Sequence, residues 1–288
     1  MKQVRPKKNL GQHFLTDLSI ARRIADTVDA CPDIPVLEVG PGMGVLTQYL
    51  AEKPRPLRVV EIDAESVAYL HEKYGWMVDS GLRMENRENG ENDLPSPSTI
   101  LHPQIIDGDF LRMDLRQLFD GGQFVLTGNY PYDISSQIFF KMLDNRDLIP
   151  CCTGMIQREV ALRMASQPGS KQYGILSVLI QAWYNVEYLF TVEPNVFNPP
   201  PKVQSAVIRM MRNDVTSLGC DEALFKRVVK TTFNQRRKML RVSLRQLLPQ
   251  ESSLFTLHSS LLTRRPEQLS IAEFVELTNL VAAELSSD

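Results

Sequence analysis

The first two thirds of the chain alternate short apolar runs with segments of helical periodicity. The strand-like runs occupy residues 35–39, 57–62, 104–106 and 124–127. Each is short and largely apolar, as expected of strands that are buried on both faces of a parallel sheet. Helical spacing of apolar residues follows the first two runs, over residues 45–50 and 64–74. Strands that alternate with helices predict an α/β domain.

The last quarter of the chain has a different pattern. Apolar residues recur at helical spacing through residues 225–248 without strand alternation, and Ser270 is followed three residues later by Glu273, a reciprocal helix cap. Before this segment, residues 187–192 and 205–211 are typical of two late strands that complete the first sheet. We therefore predict one domain over residues 1–212 and a small all-α domain over residues 213–288.

A glycine cluster follows the first predicted strand. Gly40, Gly42 and Gly44 stand between that strand and a helix, where glycine lets the backbone approach a ligand and the helix start presents free N–H groups. Dinucleotide-binding folds place the third glycine three residues after the second, a position that is Val45 here. With Glu38 just before the turn, this spacing favours S-adenosylmethionine enzymes over NAD enzymes.

Carboxylates end the next two predicted strands. Glu61 lies about 20 residues after the glycines, where such folds place the acid that binds ribose hydroxyls. The competing interpretation is a solvated acid ahead of a helix that Asp63 caps. Asp109 follows the third strand, and we expect it to accept a hydrogen bond from the amino group of the cofactor's adenine.

The fourth strand runs into Asn129, Tyr130, Pro131 and Tyr132. The Asn side chain offers an acceptor for an amine proton, Pro131 fixes the backbone so that the preceding carbonyl points at the same group, and Tyr132 offers a flat face for a base. These features describe a site that holds the exocyclic amino group of a purine. A plain strand-to-loop turn is the alternative, because Asn, Pro and Tyr are common there.

Taken in order, these motifs resemble the ribosomal RNA adenine dimethylase family of the small-subunit (KsgA) type. The resemblance covers nearly the whole chain and includes residues 9–15, 157–160, 173–177, 197–203 and 233–238. It implies a Rossmann-like class I methyltransferase domain, dependent on S-adenosylmethionine, with a small C-terminal all-α domain. It also implies a cofactor site formed by His13, Leu15, Gly40, Gly42, Glu61, Ile62, Asp109, Phe110 and Asn129.

The resemblance further implies how the target base is held. Asn129 and the carbonyl of Tyr130 would accept the two N6 protons of adenine. Tyr132 would stack on the base, next to Pro131, and Phe197 would close its other face. The implied activity is dimethylation of N6 of two adjacent adenosines in the 3′-terminal hairpin of small-subunit (16S) ribosomal RNA, with a role in subunit biogenesis.

Three other functions remain open from the sequence. The first is a large-subunit ribosomal RNA adenine methyltransferase of the resistance type, because substrate choice is not written in the catalytic motif. The second is a mainly non-catalytic ribosome assembly factor. An NAD-dependent oxidoreductase is the remote third.

Charge is segregated along the chain, although the net charge is only -2. Residues 1–16 and 223–250 carry lysine and arginine and no acid. Such segments bind phosphates, although a solvated helix face is the alternative interpretation. We predict RNA contacts from Lys7, Lys8, Lys202, Arg236, Arg237, Lys238 and Arg241. The expected partner is small-subunit ribosomal RNA within an immature subunit.

Composition bounds the remaining properties. The 288 residues are 43% hydrophobic, enough for one large or two modest domains. The four cysteines show neither metal-ligand spacing nor a disulfide framework, so we expect no metal and a reducing compartment. An N-terminal run typical of a signal peptide is not seen. The sequence predicts a cytoplasmic protein, and a monomer by default.

Two features depart from the family pattern. The polar stretch over residues 78–103 is longer than usual and predicts an exposed or disordered loop that leaves a lid possible. His13 and Tyr130 replace the residues that the family often has. We expect His13 to contact the cofactor mainly through its backbone, whereas Tyr130 borders the space where added methyl groups must fit.

Overall fold

The computed structural model describes residues 6–7, 12–82, 102–249 and 251–286, with side chains in the helix ending at Leu82 described as far as Tyr74. The predicted loop over residues 78–103 lies mostly outside the described residues, although residues 78–82 continue a helix rather than a loop. Two compact units are formed, one by Met1–Arg158 with Glu187–Arg212 and the other by Glu159–Val186 with Asn213–Asp288. The division after Arg212 is where the sequence predicts a boundary, but the second unit also includes Glu159–Val186.

The first unit is built on a seven-stranded sheet and a two-stranded ribbon. The ribbon pairs β1 (Phe14–Leu15) with β8 (Phe197–Asn198) in antiparallel fashion. The sheet contains β2 (Val36–Val39), β3 (Leu57–Glu61), β4 (Gln104–Asp107), β5 (Val125–Thr127), β6 (Cys151–Gln157), β7 (Tyr184–Val192) and β9 (Ser205–Arg212). Their order is β4-β3-β2-β5-β6-β9-β7.

The direction of the strands locates the functional edge of the sheet. Strands β4, β3, β2, β5 and β6 are parallel, and β9 is antiparallel to β6. The strand order reverses between β2 and β5, because β3 and β4 extend to one side and β6 to the other. Ligands of such sheets bind at the carboxyl ends of the strands beside this reversal.

Helices in the first unit follow from local sequence. They are α1 (Leu18–Asp26), α2 (Thr47–Leu50), α3 (Ala64–Leu82) and α4 (Ser135–Asp144). Helix α1 begins after Asp17, whose carboxylate accepts hydrogen bonds from the N–H groups of Ser19 and Ile20. The same helix buries Ala21 and Ile24 in the main hydrophobic core. This packing stabilises the sheet that carries the functional edge.

The second unit is helical. It contains α5 (Arg158–Ala165) from its second residue on, α6 (Ile175–Gln181), α7 (Glu222–Asn234), α8 (Leu240–Ser243), α9 (Leu254–Leu257), α10 (Ser259–Leu262) and α11 (Ile271–Leu285). Phe233 of α7 stacks on Phe274 of α11, with ring centroids 5.8 Å apart. The predicted cap of α11 is confirmed, because Ser270 Oγ accepts from the N–H of Glu273 and the Glu273 carboxylate accepts from the N–H of Ser270. No helix in the described part of the chain has the length and apolar character needed to cross a membrane.

The predicted α/β architecture with a helical C-terminal part is confirmed, and the two late strands are β7 and β9. The central strand β6 was missed from the sequence. Gly154 interrupts its apolar run at an interior position, where glycine ordinarily weakens a strand. The sequence shows no disulfide framework, but strand β6 brings Cys151 to Cys31, and the structure bonds the two. The two are 120 residues apart in sequence, so their spacing gave no sign of the pairing.

Gly154 allows β6 to approach the end of β5 closely. Its φ is +141°, and a Cβ at this position would lie 2.3 Å from the carbonyl oxygen of Gly128 and 2.7 Å from the Tyr130 ring. Neither the backbone of Gly128 nor the buried ring has room to move. The contact therefore requires glycine.

We predict that Gly154→Ala lowers the free energy of unfolding by about 2 kcal/mol or more, since it adds backbone strain and overpacking. Urea unfolding followed by circular dichroism measures the change. Gly108→Ala is the control, because nothing lies within 4 Å of a Cβ at Gly108. Equal stability of the two variants would contradict the predicted clash.

Candidate active site

A cavity opens at the carboxyl ends of β2, β3, β4 and β5, the edge that the strand order indicates. It brings together all the predicted cofactor residues: His13, Leu15, Gly40, Gly42, Glu61, Ile62, Asp109, Phe110 and Asn129. Tyr130, Pro131 and Tyr132 line it as well. The strands thus gather residues that are up to about 120 positions apart into one site, as the parallel arrangement requires.

The glycine turn forms one wall of the cavity. Gly40, Gly42 and Gly44 have φ values of +69°, +56° and +70°, which L side chains rarely adopt. Lys73 of α3 donates to the carbonyls of Met43 and Gly44, at 3.3 and 3.4 Å. These contacts hold the turn that joins β2 to α2.

Glu61 is fixed by backbone donors at the end of β3. Its Oε1 accepts from the N–H groups of Ile62 and Asp63, and its Oε2 accepts from Gly42, each at 2.9 Å. Burial raises the pKa of the Glu61 carboxyl, and these N–H groups oppose the shift by stabilising the charged form. Because each carboxylate oxygen has two lone pairs, Oε2 keeps one for a ligand hydroxyl.

The loop after β4 forms another part of the cavity wall. Asp109 Oδ1 accepts from the N–H of Leu111 at 2.9 Å. The ammonium of Lys141, on α4, donates to the carbonyls of Leu111 and Met113 and lies 5.5 Å from the centroid of the Phe110 ring. This lysine was not singled out in the sequence. It holds the backbone of the loop that presents Asp109 and Phe110.

The amide of Asn129 is oriented by a single contact. Its Nδ2 donates to the backbone carbonyl of His13 at 3.2 Å. No hydrogen bond of the described residues uses Asn129 Oδ1 or the carbonyl oxygen of Tyr130. Two acceptors from consecutive residues are therefore left at the cavity.

Tyr130 contributes differently from what the sequence suggests. Its ring is 1% exposed, and its hydroxyl donates to the carbonyl of Thr153 at 2.9 Å and contacts Cys152 Sγ at 3.2 Å. The ring also packs edge-to-face against Phe139 of α4. Its bulk is thus held in the core, although Tyr130 also lines the cavity, and its place beside the added methyl groups stays a prediction.

The ring of Tyr132 is held at two places. Its hydroxyl is hydrogen-bonded to Ser205 Oγ, which is fully buried, and its centroid lies 5.4 Å from that of the His13 ring. Burial raises the pKa of the Tyr132 phenol. The phenol therefore stays neutral at pH 7, and the ring is held as a flat surface.

Phe197 is placed outside the cavity. It is 4% exposed, belongs to the main hydrophobic core and pairs with Leu15 across the ribbon. Its predicted position against a target base therefore requires that the side chain move, and that role stays a prediction.

The charges of the cavity fit a cationic cofactor. Among the described residues, the lining includes the carboxylates of Glu61, Asp109 and Asp133, together with Glu38, and no lysine or arginine. Because the pKa of Glu38 is raised, the negative charge comes mainly from the other three. A pyrophosphate would be repelled there, whereas the sulfonium and ammonium groups of S-adenosylmethionine would be attracted. Exposed Ile62 and the Phe110 ring add apolar surface suited to adenine.

Glu38 is a lining residue whose surroundings the sequence did not reveal. It is 1% exposed, and its Oε2 accepts from the hydroxyl of Thr47 at 2.7 Å. Burial, with a further contribution from the charge of Glu61, raises the pKa of the Glu38 carboxyl to about 8. Glu38 is thus mostly protonated at neutral pH in the cavity as it stands.

The predicted RNA-binding residues are dispersed. Lys7 forms ion pairs with Asp63 and with Glu65, the latter at 3.2 Å, and Lys8 lies outside the described residues. Lys202 is exposed in the first unit. In the second unit, Arg236 donates to the carbonyl of Ser170 at 3.2 Å. The side chains of Arg237, Lys238 and Arg241 are exposed.

Comparison with known proteins decides the family. A family model described as ribosomal RNA adenine dimethylase matches residues 3–283. The chain belongs to this family. Similar adenine dimethylase family proteins include "Ribosomal RNA small subunit methyltransferase A" of Phocaeicola vulgatus, 62% identical over 99% of this chain and 92% of the relative. The protein of the same name from Bacteroides thetaiotaomicron is 62% identical over 100% of this chain and 98% of the relative.

Two solved structures agree with the architecture of this dimethylase family member. A dimethyladenosine transferase from Plasmodium falciparum has a TM-score of 0.69 and 21% identity, covering 96% of this chain and 98% of its own. The 23S rRNA methyltransferase ErmE has a TM-score of 0.63 and 25% identity, covering 93% of this chain and 99% of its own. The fold is therefore that of the class I methyltransferases.

Glu38 predicts a pH dependence of stability. The pKa of the Glu38 carboxyl is 4.5 when unperturbed and about 8 in the folded protein. Below pH 4.5 the carboxyl is protonated in both states and does not change the free energy of unfolding. As the pH rises from 4.5 to about 8, the carboxyl ionises in the unfolded chain but not in the folded one, so the free energy of unfolding falls. Glu38→Gln should therefore gain stability relative to the wild type across that interval. Urea unfolding at a series of pH values measures the difference, with exposed Glu52→Gln as the control. Parallel stability curves for wild type and Glu38→Gln would contradict the prediction.

Proposed function

We propose that this protein transfers methyl groups from S-adenosylmethionine to N6 of two adjacent adenosines in the 3′-terminal hairpin of small-subunit ribosomal RNA. Two transfers to each base give four in total. The RNA is presented within an immature small subunit, the protein acts as a monomer in the cytoplasm, and it contributes to subunit biogenesis. The observation that carries this proposal is the orientation of Asn129, which leaves two adjacent acceptors at an acidic cavity.

The two acceptors suit an exocyclic amine. Adenine N6 carries two protons, and Asn129 Oδ1 and the carbonyl of Tyr130 offer one acceptor to each. The lone pair of N6 is delocalised into the ring, so it attacks only when the nitrogen is drawn toward a pyramidal geometry. Acceptors fixed in advance favour that geometry without reorganising during the reaction. The donation from Asn129 Nδ2 to His13 fixes one of them.

The cofactor supplies an electrophilic methyl group on a sulfonium, and the residues of the chain supply position. Glu61 is suited to bind the ribose, and Asp109 and Phe110 the adenine of the cofactor. The ring of Tyr132, held by Ser205, provides a stacking surface for the target base. Stacking of this kind contributes roughly 1 to 3 kcal/mol per base. This is enough to hold a flipped-out adenine but too little to select one RNA.

The relatives favour the small subunit over the large one as the substrate. The proteins named small subunit methyltransferase A are 62% identical to this chain over nearly its whole length, whereas the 23S rRNA methyltransferase is 25% identical. The intact set of acceptors and carboxylates also favours an enzyme over a purely structural assembly factor. We assign the choice between small-subunit and large-subunit RNA to residues outside the catalytic motif.

RNA affinity is proposed to come largely from the second unit. Helix α7 buries Phe225, Val229 and Phe233 on one face, and an exposed basic segment follows it. We call Arg237, Lys238 and Arg241 the basic cluster. Their exposure suits them to neutralise phosphates and release counterions.

The direct test is transfer of labelled methyl groups to small and large ribosomal subunits from cells that lack this gene, with the nucleoside identified by mass. Dimethyladenosine in the small subunit alone is expected. Label in the large subunit would replace the proposal with the resistance-type activity. Tight binding without label in either subunit would favour an assembly factor.

Asn129→Ala should lower the rate of methyl transfer by about 100-fold or more, because one oriented acceptor is lost. Subunit co-sedimentation should show binding to the small subunit largely retained, and equilibrium dialysis measures how much of the loss is due to weaker cofactor binding. Asn145→Ala is the matched control. The Asn145 side-chain amide donates to the backbone carbonyl of Lys141 at the end of α4, and Asn145 does not line the cavity. Undiminished transfer by Asn129→Ala would exclude the proposed role of the amide.

Replacing all three residues of the basic cluster with alanine should weaken binding to the small subunit and reduce the slope of log K against log salt concentration by about 2 units. Binding is measured by filter retention over a salt series. Arg116→Ala is the control, because Asp147 already neutralises Arg116 at 2.8 Å. An unchanged slope in the triple variant would place the phosphate contacts elsewhere.

A further inference from the structure

The side chain of His13 connects two segments that the sequence treats separately. His13 Nδ1 lies 2.8 Å from the carbonyl oxygen of Pro199. A carbonyl oxygen only accepts, so Nδ1 carries the proton and donates it. Pro199 belongs to the segment over residues 197–203, one of the blocks in which the chain resembles the family. His13 is therefore bonded to that segment through its side chain and not only through its backbone.

His13 also contacts residues 129–132, the segment that carries the two acceptors. Its backbone carbonyl accepts from Asn129 Nδ2 at 3.2 Å. Its ring lies 5.4 Å from the Tyr132 ring, with an angle of 31° between the two planes. Ring pairs at this separation are attractive beyond their buried area. One residue thus contacts the amide and the ring proposed to hold the base, and also the Pro199 segment.

Neighbouring contacts make this connection rigid. The ribbon pairs Phe14 with Asn198 and Leu15 with Phe197, so the backbone on either side of the His13–Pro199 bond is fixed. The Tyr132 hydroxyl is hydrogen-bonded to buried Ser205. The Tyr132 ring is therefore restrained at its hydroxyl by Ser205 and at its side by His13.

We propose that the His13 side chain is a positioning residue for the target adenine, acting through the hydrogen bond to Pro199 and the ring contact with Tyr132. The hydrogen bond to Pro199 fixes the His13 ring, and the His13 ring restrains the Tyr132 ring before the RNA arrives. Ordering the Tyr132 ring in advance removes an entropy cost that RNA binding would otherwise include. This inference rests on the proposed function in one respect, that a flat base is placed against Tyr132.

Two substitutions separate the two contacts of His13. In His13→Asn, the side-chain amide nitrogen occupies the position of Nδ1 and can still donate to Pro199, but the ring is removed. In His13→Phe the ring is kept and the donor is lost. His13→Ala removes both. His71→Ala, on the exposed face of α3, is the matched control.

Steady-state transfer to small subunits gives the first readout. His13→Ala should lower kcat/KM for the RNA by about 10-fold to 100-fold, since small misplacements of reacting groups carry costs of this size. Cofactor affinity, measured by calorimetry, should change by less than about threefold, because the backbone carbonyl of His13 is retained. His13→Asn and His13→Phe should each recover part of the loss. Full activity in His13→Ala, or a loss confined to cofactor affinity, would overturn the proposal.

The second readout does not need activity. With 3-fluorotyrosine incorporated, and the Tyr132 resonance assigned by its loss in Tyr132→Phe, the fluorine spectrum reports the surroundings of that ring. His13→Ala should shift or broaden the Tyr132 resonance, and His13→Phe should restore it in part. An unchanged resonance would overturn the positioning role even if the wild type methylated no ribosomal RNA. If His13→Ala does not fold, the Asn and Phe variants carry both measurements.

Discussion

The close approach of three neighbouring strands beneath residues 129–132 is the constraint on which the candidate site depends. A Cβ at Gly128 would lie 2.5 Å from the carbonyl of Val39 in β2, and one at Gly154 would lie 2.3 Å from the carbonyl of Gly128. Only glycine permits both contacts. They let β6 continue its pairing past the end of β5, where the backbone N–H of Tyr130 donates to the carbonyl of Met155. The backbone that presents the two acceptors is thereby fixed from both sides.

Polar groups around the cavity are oriented by hydrogen bonds that leave one acceptor of each group free for a ligand. Three N–H groups hold Glu61 and spare a lone pair on Oε2, and the amide of Asn129 donates to His13 and spares its oxygen. Both arrangements use backbone groups as partners. Backbone positions are set by the fold, so the acceptors do not reorganise when a ligand binds. Under the proposed function, such fixed acceptors would suit a weak nucleophile.

Much of the fold and most of the site were predictable from the sequence, because the signals were local. Apolar runs marked four parallel strands, and polar residues at their ends marked the cavity. What escaped prediction depends on contacts between distant residues. Strand β6 was not recognised because Gly154 interrupts its apolar run. Glycine is needed there because a side chain would clash with Gly128, 26 positions earlier. The hydrogen bond from His13 to Pro199 joins residues that are 186 positions apart in sequence. Phe197 was expected at the base; a motif alone does not reveal that its apolar ring is buried in the core, and its role at the base stays a prediction.

The charges of the chain are segregated, although its net charge is only -2. Acidic side chains line the cavity of the first unit, and the described lining contains no lysine or arginine. The basic cluster lies in the second unit. An acidic cavity attracts a cationic ligand and repels phosphate, whereas a neutral base turned out of its helix is subject to no such repulsion. Under the proposed function, the same electrostatics would therefore retain the cofactor, admit the nucleobase and keep the phosphate backbone out of the cavity.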